Sequence, residues 1–251
     1  MAEIEKNEKK TYKDVFEENC FENQEEVLEI CEIAYNRLRS DFKINFESRD
    51  GEEQINSPML VAAIFRKIFE AFMKTLISYQ KEWSSYQIVV ANRLIIGYSN
   101  SENDEDLEKP GNFMFFIQHI NSSTKTDMDK DPTLKSVELC AMFNSENITT
   151  NAEDIYKIAN LALSMLNEID VKFASNEVII PIFIAVYEAL ITKLKIYRID
   201  ADEFEYEINF MSCFWAMVRE GENGNDSIRF RPNIEGKLSL KNDADATGVY
   251  E

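Results

Sequence analysis

Three aspartates at alternate positions, Asp127-x-Asp129-x-Asp131, stand ahead of Pro132, with Glu138 at the twelfth place counted from the first. That is the carboxylate spacing of a calcium loop, where hard oxygen donors converge on one cation and a final glutamate closes the shell. Leu134 even occupies the apolar eighth place. The sixth place, however, needs the sharp turn that glycine supplies through positive φ, and proline is locked at about −65°. The flanks also read as strands rather than helices. The expected state is a solvated acidic loop, with cation binding left open. Asp243-x-Asp245-x-Thr247-Gly248 begins a similar pattern without a closing glutamate.

Other chemistry is hard to assemble from this chain. His119 is the single histidine, and it sits in an apolar stretch with no serine or cysteine motif beside it. Cys20, Cys31, Cys140 and Cys213 form no Cys-x-x-Cys pair, so neither a zinc cluster nor a redox pair is expected. They read as reduced, mostly buried thiols. No nucleophile elbow, glycine-rich phosphate loop or dinucleotide fingerprint occurs. The expectation is therefore a non-enzymatic protein with no catalytic residues, no metal and no cofactor.

The bulk charge restricts partners. Against 27 Lys+Arg stand 46 Asp+Glu, a formal charge of −19 over 251 residues. Such a surface repels phosphate backbones and anionic head groups, so direct nucleic-acid or membrane binding is not expected. It favours solubility and basic partners. Residues 1–12 are polar, without the apolar core of a signal peptide. The longest apolar run, Val178 to Ile191, contains Glu188 and falls short of the roughly 20 residues that span a bilayer. A cytoplasmic protein, or one assembled into a virion, is expected.

Periodicity assigns the elements that must position these residues. A helical stripe of Val27, Cys31, Ala34 and Leu38 ends a pattern running from about residue 12 to Ser40. Phe42, Ile44 and Phe46 alternate as a short strand. Ser57 and Pro58 open a helix reaching about Glu82, apolar on two faces. Tyr86–Tyr98 reads as a strand or tight strand pair, Asn112–Ile120 as a second strand and Leu134–Phe143 as a third. Helix returns after Thr150, with Ile155, Ile158, Ala162, Met165 and Ile169 inward, and again over about Asn176–Lys195, apolar nearly all round. Glu203–Phe210 alternates as a strand, and Ser212–Val218 is apolar without a clear period. No internal repeat is evident. These runs predict an α+β fold, an antiparallel sheet packed with about four main helices.

After Glu220 the composition changes. Gly221, Gly224, Gly236 and Gly248 fall in a polar segment with isolated apolar residues. The predicted organisation is a flexible N-terminus over 1–12, one domain over 13–220 and an extended tail over 221–251. In the tail, Phe230, Ile234, Leu238 and Leu240 are spaced to insert singly into pockets, while Arg229 and Arg231 suit an acidic neighbour. Removing the tail at Glu220 is expected to spare the fold and weaken association.

Taken together these features predict a structural or interaction protein working as a subunit of a larger oligomer, with copies of itself among its partners. An Asn-, Lys-, Ile- and Glu-rich composition suits a phage virion component such as a connector or collar ring. The alternative is an acidic inhibitor filling a nucleic-acid-binding cleft of another protein, resting on the clusters Glu102–Glu108 and Asp200–Glu207.

Overall fold

The computed structural model describes residues 10–42, 44, 58–83, 85–91, 93–100, 113–119, 152–196, 206–220 and 226–233. Among the described residues, five helices and a six-stranded antiparallel sheet make up an α+β fold. The helices are α1 (Tyr12–Asn19), α2 (Gln24–Ser40), α3 (Pro58–Tyr79), α4 (Ala152–Glu168) and α5 (Ile179–Ile196), the last preceded by a 3-10 turn at Asn176–Val178. The strands are β1 (Ser85–Val90), β2 (Leu94–Asn100), β3 (Phe113–His119), β4 (Tyr206–Phe210), β5 (Phe214–Glu220) and β6 (Asp226–Pro232), in the sheet order β1-β2-β3-β6-β5-β4.

Several boundaries have local causes. The run from residue 12 to Ser40 is two helices: α1 ends at a Cys20 cap with φ −121°, and α2 starts from Asn23, which takes a left-handed φ of 55°. A reciprocal capping box between Thr11 and Asp14 opens α1. Phe42 and Ile44 pack on the core without forming a strand, since the Ile44 amide donates to the Leu38 carbonyl at 3.1 Å and closes the end of α2. Phe46 and the expected strand Leu134–Phe143 lie outside the described residues.

The apolar periphery of α3 is consumed inside the chain. This helix touches α1, α2, α4 and α5, so a single core-facing stripe would not suffice. The same holds for α5, which packs against α2, α3 and α4. At the centre the Phe65 and Phe183 rings stack 4.7 Å apart with planes 5° from parallel, and Phe210 meets Phe65 edge-on at 5.1 Å. Neither helix needs a second chain to cover it.

A repeat is present after all. Each half runs helix, helix, three strands: α2-α3-β1-β2-β3, then α4-α5-β4-β5-β6. The hairpin registers superimpose residue for residue, Tyr86↔Tyr98 through Val90↔Leu94 matching Tyr206↔Val218 through Phe210↔Phe214. Both turns start with a left-handed residue, Ala91 (φ 48°) and Met211 (φ 54°), and both close with a 2.9 Å amide bond, Arg93 to the Val90 carbonyl and Cys213 to the Phe210 carbonyl. The helices agree too. Ile64, Phe65, Glu70, Ala71 and Leu76 recur at the same spacing as Ile182, Phe183, Glu188, Ala189 and Leu194, and Ile30, Ala34 and Leu38 as Ile158, Ala162 and Leu166.

The halves face each other across a local two-fold. Ile117 of β3 and Phe230 of β6 are equivalent positions by register, and they are also each other's partner across the β3–β6 seam. Phe65 and Phe183, the stacked pair, are equivalent as well. Each hairpin turn reaches the other half's central helix: Arg93 Nε lies 3.3 Å from Glu188 of α5, and the Cys213 sulfur 4.0 Å from Arg66 of α3. The halves therefore share one core rather than forming two domains.

The largest correction concerns the expected tail. Residues 226–232 form β6, a central strand, so the sheet does not end at Glu220. Phe230 faces the core at 9% exposure, its ring 5.6 Å from Tyr187 and 5.5 Å from Phe214. β6 pairs with β5 along its whole length and meets β3 at Ile117↔Phe230, so its backbone groups are satisfied mainly by the β5 ladder.

Candidate interaction face

The strands alternate cleanly. Ile88, Val90, Leu94, Ile96, Tyr98, Ile117, Ile208, Phe210, Phe214, Ala216, Val218 and Phe230 point to the helices and are buried. Their neighbours point to the opposite face, on which no described helix packs. Strand register sets those neighbours in two rows. One runs Asn209, Trp215, Arg231, Phe116, Gly97, Gln87 from β4 to β1; the other runs Glu207, Met217, Arg229, Gln118, Ile95, Val89. Trp215, Met217, Phe116, Ile95 and Val89 are half-buried, while Arg229, Arg231, Gln118, Gln87 and Glu207 are exposed.

Phe116 lies flat because of what stands beside it. A Cβ on Gly97 would come within 2.8 Å of the Phe116 ring tip and 2.6 Å of the Tyr86 carbonyl oxygen. Absence of a side chain at Gly97 lets the ring cover the strand backbone, as aromatic residues do opposite strand glycines. The open face thus carries Phe116, Ile95 and Val89 beside exposed Gln87 and Gln118 over β1–β3, and Trp215 and Met217 beside Arg229, Arg231 and Glu207 over β4–β6.

Of the residues selected from sequence, Arg229 and Arg231 are on this face, Phe230 is beneath it in the core, and Ile234, Leu238 and Leu240 lie outside the described residues. So do Asp127, Asp129, Asp131 and Glu138, and most of the acidic clusters at Glu102–Glu108 and Asp200–Glu207. Trp215, Met217 and Phe116 were missed. The alternation of Trp215 and Met217 against Ala216 and Val218 was the signal available, obscured by Phe214 and Cys213 running straight into it.

One titratable cluster joins three elements. Asp154, in the first turn of α4, accepts a hydrogen bond from the Tyr79 hydroxyl of α3 at 2.5 Å and from the Tyr86 hydroxyl of β1 at 2.7 Å. Lys157 donates to the Tyr79 oxygen at 3.1 Å. Burial, then the bond to Asp154 and its charge, push Tyr79 up to about 12. Both carboxylate oxygens already accept from phenols, so the cluster acts as a clamp that fixes α3, β1 and α4 together. Glu26 of α2 and Tyr206 of β4 are the sequence equivalents of Asp154 and Tyr86.

The raised Tyr79 value has a definite sign. The folded state holds that proton more tightly than the unfolded chain, so its stabilising contribution is complete below pH 10 and is lost as pH rises towards 12. Urea midpoints measured from pH 9 to 12 should fall in the wild type and fall less steeply in Tyr79→Phe. Parallel curves would remove Tyr79 from the account.

The cysteines are poor nucleophiles. Cys20, Cys31 and Cys213 are free and buried, and burial pushes Cys20 up to about 11 and Cys213 to about 12. Cys140 lies outside the described residues. No group of three or more potential metal ligands occurs among the described residues, and none of the described helices is long and apolar enough to cross a membrane.

No protein family, curated protein sequence or solved structure matches the chain.

Proposed function

We propose that this protein is a non-enzymatic interaction subunit of a larger homo-oligomeric assembly, and that the open face of its sheet is the contact between copies. One observation carries the reading: a six-stranded sheet whose second face bears Trp215, Met217, Phe116, Ile95 and Val89 around two central arginines, with no described helix upon it. Half-buried aromatic and methionine side chains interspersed with exposed arginines have a composition found at protein interfaces. A second copy is the favoured occupant because the chain is strongly acidic, −19 overall, while the centre of this face is basic. Any neighbouring copy brings carboxylates to exposed Arg231. A virion ring component of the connector or collar kind is a setting that would use such a subunit.

The test is sedimentation velocity over a wide concentration range. Wild type should form a defined oligomer. Trp215→Glu with Met217→Lys should weaken it at least tenfold, about 1.4 kcal/mol, with an unchanged circular dichroism spectrum, since both side chains point away from the core. A wild type that stays monomeric throughout would remove this reading.

A further inference from the structure

Many of the polar contacts between distant elements cross from one half to the other. Asp154 of α4 accepts from Tyr79 of α3 at 2.5 Å and from Tyr86 of β1 at 2.7 Å, and Lys157 of α4 reaches the Tyr79 oxygen at 3.1 Å. In the opposite direction, Lys193 of α5 lies 2.6 Å from Glu29 of α2, and Arg37 of α2 bonds Glu188 of α5. The Asn209 amide of β4 donates to the Asn23 side chain at 3.4 Å. The first helix of each half is thus fastened to the other half, α2 on α5 and α4 on α3. At the seam, β3 and β6 meet at Ile117 and Phe230, and Phe65 stacks on Phe183. Taken from its companion, either half would lose that stack, the neighbour of its seam strand and a surface beneath its first helix.

Charge makes this pairing selective. Glu70 and Glu188 are equivalent positions and both are half-buried, yet they are neutralised differently. Glu70 takes its cations from its own helix, Lys67 at 3.1 Å and Lys74 at 3.0 Å. Glu188 takes its cations from the other half, Arg37 of α2 and Arg93 of the β1–β2 turn, the latter at 3.3 Å. On α5 the counterparts of Lys67 and Lys74 are Ala185 and Thr192, and in the second half the counterparts of Arg37 and Arg93 are Met165 and Cys213. Two copies of the second half would therefore offer Glu188 neither arginine, and would set Lys193 against Lys157, the counterpart of Glu29. Two copies of the first half would bring Arg37 and Arg93 to a Glu70 that already holds two lysines. Charges match only when the first half meets the second.

We infer that the two halves are the members of a selective dimer carried on one chain. Each folds only against the other, each takes the other in preference to a copy of itself, and the pair holds without the covalent connection between β3 and α4. The pairing is internal to one subunit, so it stands whether or not subunits assemble through the open sheet face.

A protease recognition sequence inserted after Lys130, between β3 and α4, lets the full chain fold first and be cut afterwards. The two fragments should travel together in a one-to-one ratio, with the circular dichroism of the uncut protein. Their urea midpoint should fall on dilution more steeply than that of the uncut chain, because unfolding now releases two molecules. Separated in urea, neither fragment should regain a cooperative transition by itself, and the equimolar mixture should regain it. In the cut protein, Arg37→Met with Arg93→Met should weaken the pairing about tenfold or more, while Lys67→Ala with Lys74→Thr should change it little. Fragments that part on cutting, each keeping a cooperative transition, would be independent domains. A cut protein that loses its fold would need the covalent connection. A fragment that refolds alone as a homodimer would not be selective, and equal weakening by both pairs of substitutions would show that these charges do not choose the partner. Each of these results overturns the inference, and none depends on whether the wild type is oligomeric.

Discussion

Replacing Phe65 by alanine is expected to destabilise the protein by about 4 kcal/mol, the range for truncating a fully buried phenylalanine. The ring stacks on Phe183 and meets Phe210 and Phe214 edge-on, so one deletion empties the point where both halves and the sheet converge. The thermal midpoint should fall on the order of 10 °C for a chain of this size. Phe183→Ala should cost a similar amount, since it occupies the equivalent place across the two-fold. The double variant should lose less than the two singles added, because each single already breaks the same stack. Urea denaturation followed by circular dichroism measures all three. A loss below about 1 kcal/mol for Phe65→Ala would mean that the two halves do not meet there.

Cutting the chain after Glu220 should abolish folding, whereas cutting after Asn233 should leave a folded protein. The first deletes β6, whose loss would strip the inner edges of both β3 and β5 of their partners and remove Phe230 from between Tyr187 and Phe214. Splitting the sheet into a three-stranded and a two-stranded piece exposes apolar surface and unpaired backbone on each. The second cut spares every described residue, including Asn233 and its amide bond to the Cys213 carbonyl. Expression in soluble form and a cooperative urea transition separate the outcomes. A cooperative, native-like transition in the chain ending at Glu220 would show β6 to be dispensable. The milder variant Phe230→Ala should cost about 3 kcal/mol.

How the open face was reached shows where sequence reading succeeds and where it stops. Helical stripes such as Ile155, Ile158, Ala162 and Met165, and the alternation of Tyr206, Ile208 and Phe210, were legible because an element that buries one face must repeat its apolar residues at its own period. The class α+β follows from those periods. The two-fold repeat was not legible. Unequal connections, 41–57 against 169–178 and 101–112 against 221–225, break any constant spacing along the chain, and replacements such as Phe72 by Leu190 preserve volume but not identity. Only registers and contacts show that Ile117 and Phe230 are counterparts.

Arg229, Phe230 and Arg231 mark the same limit within three residues. Their types announced a strand-like alternation in a glycine-bearing, polar region, and on composition such a region reads as a tail. What turned it into the sixth strand is the pair of vacant edges that β3 and β5 present from far apart in the chain. Local sequence determined which side chains alternate, which helices form and how acidic the surface is, because those depend on neighbours a few residues away. Tertiary structure decided which edge pairs with which, and so which arginines stand on an open face and which phenylalanine lies beneath it. Hydrogen-bonding edges carry no residue code, and their pairing is settled by the cores they close.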